Sequence, residues 1–181
     1  KEVLISSGSI ERPIVFGNND TPGVMLSSAA KEYLKVYGVL VGKKPLVFTN
    51  NDSGYETAIE FKKHGVDPLV LDSRKNPVSE IIDEAKNLGI HIKNSYVVVA
   101  AKGYKKVKSA DIASISDDKK QLGKIENIQC DCICVSGFWT PTIHLASQSG
   151  NKTKFKEEID AFVPGQSKQN EITLGAANGV F

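Results

Sequence analysis

The stretch Pro45-Leu46-Val47-Phe48-Thr49-Asn50-Asn51-Asp52-Ser53-Gly54-Tyr55-Glu56-Thr57-Ala58 passes from an apolar run to an amphipathic segment within a few residues. Pro45 enters the run at the first position, where a sheet tolerates a residue without an N–H. Asn51-Asp52-Ser53 then supplies side chains that can cap a helix, with Gly54, Ala58 and Phe61 on one face and Gly65 closing the segment. A second apolar run, Leu69-Val70-Leu71, ends at Asp72. Two short apolar runs joined by a helix are the pattern of a βαβ unit, whose strands are parallel and whose crossover is right-handed. That reading puts Thr49 through Ser53 at the tip of the first strand.

The same alternation continues outward. Upstream, Ala29, Ala30, Tyr33, Leu34 and Tyr37 fall at helical spacing from Leu26, and Gly38 provides a stop. Downstream, Asn76 is expected to cap and Pro77 to open a helix with the stripe Val78, Ile81, Ile82, Ala85 and Leu88, ended by Gly89. Ile90-His91-Ile92 reads as a third parallel strand. Tyr96 to Ala101 and Val107 to Ile115 read as antiparallel strands around a Lys-rich turn. Cys130 to Val135 returns to the sheet, a short helix follows near Ile143 to Ser147, and Glu171-Ile172-Thr173-Leu174 runs into a glycine turn that should open another helix. The fold class is therefore α/β: a Rossmann-like parallel sheet with an antiparallel hairpin or meander.

Composition narrows the function classes. Of 181 residues, 40% are hydrophobic and 24% charged, as in ordinary globular chains, and the formal charge of +2 leaves no nucleic-acid footprint. The clusters Lys102 to Lys108 and Lys152 to Lys156 read as solvated loops and strand edges. No apolar stretch has membrane-spanning length, and the opening lacks the shape of a signal peptide. Lys1 leads straight into the strand-like Val3-Leu4-Ile5 without an initiator Met, which suggests a piece of a longer polypeptide. Cys130, Cys132 and Cys134 alternate along one expected strand and share a face; they suit neither a disulfide nor a metal site, so buried thiols in a reducing, cytoplasmic setting are expected.

The turn after the first strand is where a dinucleotide fold places its Gly-x-Gly-x-x-Gly sequence, and Asp72 lies near the roughly 20-residue offset of the carboxylate that caps a ribose. Thr49 and Asn51, however, replace the first two glycines, and only Gly54 remains. An Asn side chain at the second position occupies space through which the backbone would approach a pyrophosphate. Two readings stay open: a dinucleotide site using Thr49, Asn51, Ser53, Gly54 and Asp72, or a structural Rossmann-type domain whose binding is weakened or lost. Arg74 reads as a surface residue, with a 2′-phosphate contact as the alternative. His144 reads as a packed or hydrogen-bonded residue, and His64 as a partner of a helix C-terminus. No catalytic or metal-ligating set is found.

Leu4-Ile5-Ser6-Ser7-Gly8-Ser9-Ile10-Glu11-Arg12-Pro13 resembles the crossover between the two nucleotide domains of thioredoxin-reductase and glutathione-reductase type flavoproteins, and Leu174-Gly175-Ala176-Ala177-Asn178-Gly179 resembles the return into the first of them. Glu11 to Phe16, Asn19 to Leu26, Phe48 to Ser53, Ser136 to Pro141, His144 to Gly150 and Ala161 to Gly165 together resemble the alpha subunit of heterotetrameric sarcosine oxidase, in order along nearly the whole chain. The degenerate Thr-x-Asn turn is similar to that family's own.

This resemblance implies residues 1–38 as a crossover segment plus connecting helix, 39–150 as a second, NAD-type dinucleotide domain, and 151–181 as a return segment. It implies NAD held mainly by an N-terminal half outside this sequence and touched near Gly8, Gly175, Ala176, Ala177 and Asn178. It also implies FAD and FMN in a complete complex with beta, gamma and delta subunits. That complex would oxidatively demethylate sarcosine to glycine with formation of hydrogen peroxide and transfer of the one-carbon unit to tetrahydrofolate. This piece would then be an oxidoreductase scaffold without the catalytic centre. The alternatives are an alpha subunit of a related proline, hydroxyproline or opine dehydrogenase, or a subunit-interaction module that binds no nucleotide. No nucleic-acid or membrane partner is expected.

Overall fold

A computed structural model describes residues 2–181. By their contacts these residues form two compact units, one comprising the chain up to Arg12 together with Trp139–Phe181, the other Pro13–Phe138. The first unit opens with β1 (Val3–Ile5) and β2 (Ser9–Glu11). The second contains β3 (Val24–Leu26), α1 (Ser27–Tyr37), β4 (Pro45–Thr49), α2 (Ser53–Lys63), β5 (Leu69–Asp72), α3 (Glu80–Asn87), β6 (His91–Asn94), β7 (Tyr96–Lys102), β8 (Ser109–Ser114), β9 (Glu126–Gln129) and β10 (Cys132–Ser136). The first unit resumes with β11 (Trp139–Pro141), α4 (His144–Gln148), β12 (Thr153–Lys156), β13 (Ala161–Pro164) and β14 (Glu171–Thr173), ending in a 3-10 turn at Gly175–Asn178.

In the second unit β3, β10, β4, β5 and β6 form a five-stranded parallel sheet in that order. The expected βαβ unit is present: β4 and β5 pair in parallel, Leu46 opposite Leu69 through Thr49 opposite Asp72, with α2 between them. Side chains alternate between the two sheet faces with the strand period of two. Val47, Val70, Cys132 and Cys134 face a core built with Ala30 and Leu34 of α1, Tyr55, Ala58 and Phe61 of α2, and Ile82 and Ala85 of α3. Leu46, Phe48, Leu71, Ile133 and Val135 face a second core completed by Val98, Ala101, Val107, Ala110 and Ile112. The latter come from the antiparallel meander β7-β8-β9 and its connecting loop. The unit is thus layered as helices, parallel sheet and meander, and each fully buried Leu, Val or Ile stabilises it by about 1.5–3 kcal/mol.

Three expectations need correction. Cys130 does not share a face with Cys132 and Cys134: it precedes β10 at a bend and packs in the meander core, while the other two pack against the helices. Burial pushes its thiol pKa up to about 12, with Cys132 and Asp131 adding to the effect. On α1 only Ala30 and Leu34 of the hydrophobic stripe are fully covered, whereas Tyr33 and Tyr37 stay exposed and tilt against each other at 6.1 Å. Gly38, in the left-handed conformation at φ 63°, ends that helix as its position suggests. α3 begins at Glu80 behind Ser79, not at Pro77, and Val78 is exposed. α1 packs within the second unit among residues of α2 and β10.

In the first unit β1 and β14 form a two-stranded parallel pair with Leu4 opposite Ile172. β2 pairs antiparallel with β11, and β12 with β13, where Phe155 and Phe162 meet edge to face at 5.3 Å. The Arg12 guanidinium donates to the carbonyls of Asp160 and Ile159 at 2.8 and 3.1 Å. Val3, Leu4, Ile172 and Leu174 remain exposed on the parallel pair. No helix among the described residues is long and apolar enough to cross a membrane.

Candidate functional site

β4 ends at Thr49 and α2 starts at Ser53, so the turn between them lies at the carboxyl end of the parallel sheet, beside the ends of β5 and β10. Ligands of open α/β sheets bind at that end. Thr49 is fully buried; its Oγ1 donates to the Asn51 carbonyl at 2.7 Å and accepts the Asn51 N–H at 3.1 Å. Asn51 is also buried. Its Nδ2 donates to the Ser136 carbonyl at 3.0 Å and to the Asn50 Oδ1 at 3.0 Å, and its Oδ1 accepts the Ser53 N–H at 2.9 Å. The N–H that opens α2 is therefore taken by a side chain of the turn itself. Gly54 is required for a local reason: a Cβ built there would stand 2.6 Å from the Thr49 Cβ.

At the neighbouring strand end Asp72 is fully buried and surrounded by donors. The Tyr55 hydroxyl donates to its Oδ2 at 2.8 Å, the Arg74 N–H to its Oδ1 at 2.8 Å, and the Arg74 guanidinium reaches both oxygens at 2.8 to 3.1 Å. Arg74 also contacts the Asp52 carboxylate at 2.8 Å. Burial opposes the Arg74 charge, but the hydrogen bonds and charges of Asp72 and Asp52 outweigh it and raise the pKa. Burial first, and then Asp72, raise that of the Tyr55 phenol. Arg74 is accordingly a half-buried clamp between two carboxylates, where the sequence suggested a solvated residue.

The sequence-selected residues Thr49, Asn51, Ser53, Gly54 and Asp72 do converge on one strand-end region of the second unit. Gly8, Gly175, Ala176, Ala177 and Asn178 lie in the first unit. There Gly8 adopts φ 73° and its carbonyl accepts the Thr142 N–H at 3.0 Å. Gly175, at φ 60°, opens the 3-10 turn with Ala177 buried and Asn178 exposed. His144 is an exposed residue at the start of α4, and His64 ends α2 with Nδ1 2.9 Å from the Glu60 carbonyl oxygen. Sequence reasoning missed Tyr55 and Ser136. Tyr55 sits three residues after the turn's Asp52 and could have been weighed as a donor to a buried carboxylate, but nothing local signals that Ser136 approaches Asn51.

No family model matches the chain. The sarcosine oxidase alpha subunits of Corynebacterium sp. strain P-1 and of Rhizobium meliloti are 35% and 36% identical to it, over 99% and 97% of its length. The chain spans only 19% and 17% of those two proteins. Among solved structures it is similar to T. acidophilum thioredoxin reductase, with a TM-score of 0.75 at 15% identity, covering 99% of this chain and 58% of that one. It is also similar to the L-proline dehydrogenase of P. horikoshii, with a TM-score of 0.62 at 21% identity, covering 98% and 30%. The structural likenesses establish the α/β flavoprotein fold, and the identities, sustained along nearly the whole chain, place it as a segment within the sarcosine oxidase alpha subunit family.

Proposed function

We propose that this chain serves as the second dinucleotide-type domain of a multisubunit flavoenzyme that oxidatively demethylates sarcosine to glycine, yielding hydrogen peroxide and passing the one-carbon unit to tetrahydrofolate. It acts as a scaffold without a catalytic centre, in a cytoplasmic complex with beta, gamma and delta subunits. The observation that carries the scaffold reading is the engagement of the Asn51 side chain, of the Ser53 N–H and of Asp72 by groups of the protein itself. A pyrophosphate needs free N–H donors at the helix start and a ribose needs a free carboxylate oxygen. Asp72 offers no free oxygen to a ribose, and the Ser53 N–H is withdrawn from a pyrophosphate. NAD contact then falls to the segments around Gly8 and Gly175–Asn178 and to residues beyond this sequence, while FAD and FMN belong to the rest of the complex.

The exposed parallel pair β1-β14 supports the same architecture, because parallel strands are normally covered on both faces. In this reading residues 1–38 and 151–181 include the exit from and return to a first dinucleotide domain, and residues 39–150 form the second. The test is the complete alpha subunit carrying this segment, produced with its partner subunits and assayed for sarcosine-dependent peroxide. The expected result is turnover that survives Asn51→Ala in the folded complex. Absence of sarcosine-driven peroxide would overturn the activity, and selective loss of turnover in a stably assembled Asn51→Ala complex would overturn the scaffold role.

A further inference from the structure

The opposite end of the second unit carries chemistry that the reading above does not use. β4 and β10 start from Lys43-Lys44 and Asp131, and the Asp131 carboxylate accepts the N–H groups of Lys43 and Lys44 at 2.8 Å each. The β7–β8 connection reaches the same end. Lys108 O accepts the Cys130 N–H at 3.3 Å, Lys44 O accepts the Asp131 N–H at 3.2 Å, and Val107 N donates to Pro22 O at 2.9 Å just before β3. Lys43, Lys44 and Lys108 thus start from the amino ends of the strands, and Lys105 and Lys106 precede Lys108 in the connection that reaches that end. None of the five forms an ion pair among the described residues, whereas Lys102 pairs with Asp111 at 3.1 Å. In a chain of net charge +2 this is a local concentration of cations.

The loop is also built to hold a shape. Val107 is fully buried between two exposed lysines and anchors the connection in the meander core. Lys108 N donates to Lys102 O at 2.8 Å, and Gly103, at φ 154°, lies so close to the Lys106 carbonyl that an added Cβ would stand 1.9 Å from it. On this pinned loop Tyr104 is 92% exposed and borders, with Lys105, Lys106 and Lys108, a shallow groove of about 420 Å³. An exposed aromatic ring ringed by unpaired cations is the composition of an interface anchor with a charged rim.

We propose that this basic end of the second unit docks a carboxylate-rich surface of another polypeptide, with Tyr104 inserting as the apolar anchor. Charge complementarity selects the partner chemistry. The patch contains no arginine, the side chain suited to bidentate phosphate recognition, and the overall charge supplies no extended field for a nucleic acid. Lysine point charges instead steer and orient an acidic protein face in a salt-dependent way.

The test is fluorescence anisotropy of the purified chain with a short fluorescein-labelled peptide of alternating glutamate and leucine, beside a labelled oligothymidylate. Saturable peptide binding that weakens with salt is expected, together with a loss of about tenfold in a K105E/K106E/K108E variant. Tyr104→Ala is expected to lose about threefold while keeping the salt dependence. K152E/K154E, which alters the other lysine cluster, should bind as the parent does, and circular dichroism melts should match throughout. The proposal fails if the peptide does not bind, if charge reversal at Lys105, Lys106 and Lys108 leaves binding intact, if K152E/K154E loses as much, or if the oligothymidylate binds more tightly than the peptide.

Discussion

The carboxamide of Asn51 donates to the carbonyl of Ser136 at 3.0 Å, tying the turn after β4 to the last residue of β10. The same side chain accepts the first N–H of α2, so one residue joins a helix start to a neighbouring strand end. Asn51→Ala leaves a buried carbonyl and a helix N–H without these partners. A loss of about 1–3 kcal/mol in urea unfolding is expected. Asn50→Ala, at an exposed position, should cost under about 1 kcal/mol.

Thr49 and Gly54 form a coupled pair. Gly54→Ala places a methyl group 2.6 Å from the Thr49 Cβ and should destabilise by about 1–3 kcal/mol through overpacking. In a Thr49→Gly background the obstructing atoms are gone, so the added cost of Gly54→Ala should fall. A double-mutant cycle in urea reads the coupling directly, and additive costs would show that Gly54 is retained for another reason.

Arg74 neutralises a carboxylate that has no access to water. Arg74→Met should destabilise by up to about 3 kcal/mol, below the range for fully buried pairs because the guanidinium is itself partly exposed. Tyr55→Phe removes a single donor from the same carboxylate and should cost about 1–2 kcal/mol. Equal losses in the two variants would contradict the picture of Arg74 as the principal counter-charge.

Cys130 gives a pH dependence with a definite sign. Burial raises the Cys130 pKa from 9.0 to about 12, so the folded state holds this proton more tightly than the unfolded state does. Stability from this group is fully present below about pH 9 and declines as pH rises toward 12. Chemical denaturation between pH 8 and 11 should show that decline, and Cys130→Ala should reduce it, most clearly below pH 10, where the buried Tyr55 phenol does not yet add a decline of the same sign. In native protein at neutral pH none of the three buried thiols should react with a disulfide reagent, and all three should react in denaturant.

Much of the fold was legible because local rules and tertiary structure agree. The runs Leu46-Val47-Phe48 and Leu69-Val70-Leu71, the capped segment between them and Gly38 at a helix end all carry their own signals. The failures occur where distant contacts decide. The bend at Cys130 and Asp131 shifts the strand period, and neither the exposed Tyr33 and Tyr37 nor the late start of α3 follows from spacing alone. At the site, the replacement of two glycines marked the turn as unusual. What fills it was not readable, since Ser136 lies on another strand and the Tyr55–Asp72–Arg74 cluster is assembled by the parallel pairing of β4 and β5.

Thermal unfolding of the purified chain during titration with NAD, and in parallel with NADP, FAD and ATP, tests the self-filled turn most directly. A ligand held at 100 times its dissociation constant would add about 2.7 kcal/mol. No shift with any of the four is expected. A saturable shift with NAD that disappears in a folded Asp72→Asn variant would show that the strand-end turn still takes a dinucleotide, contradicting the account.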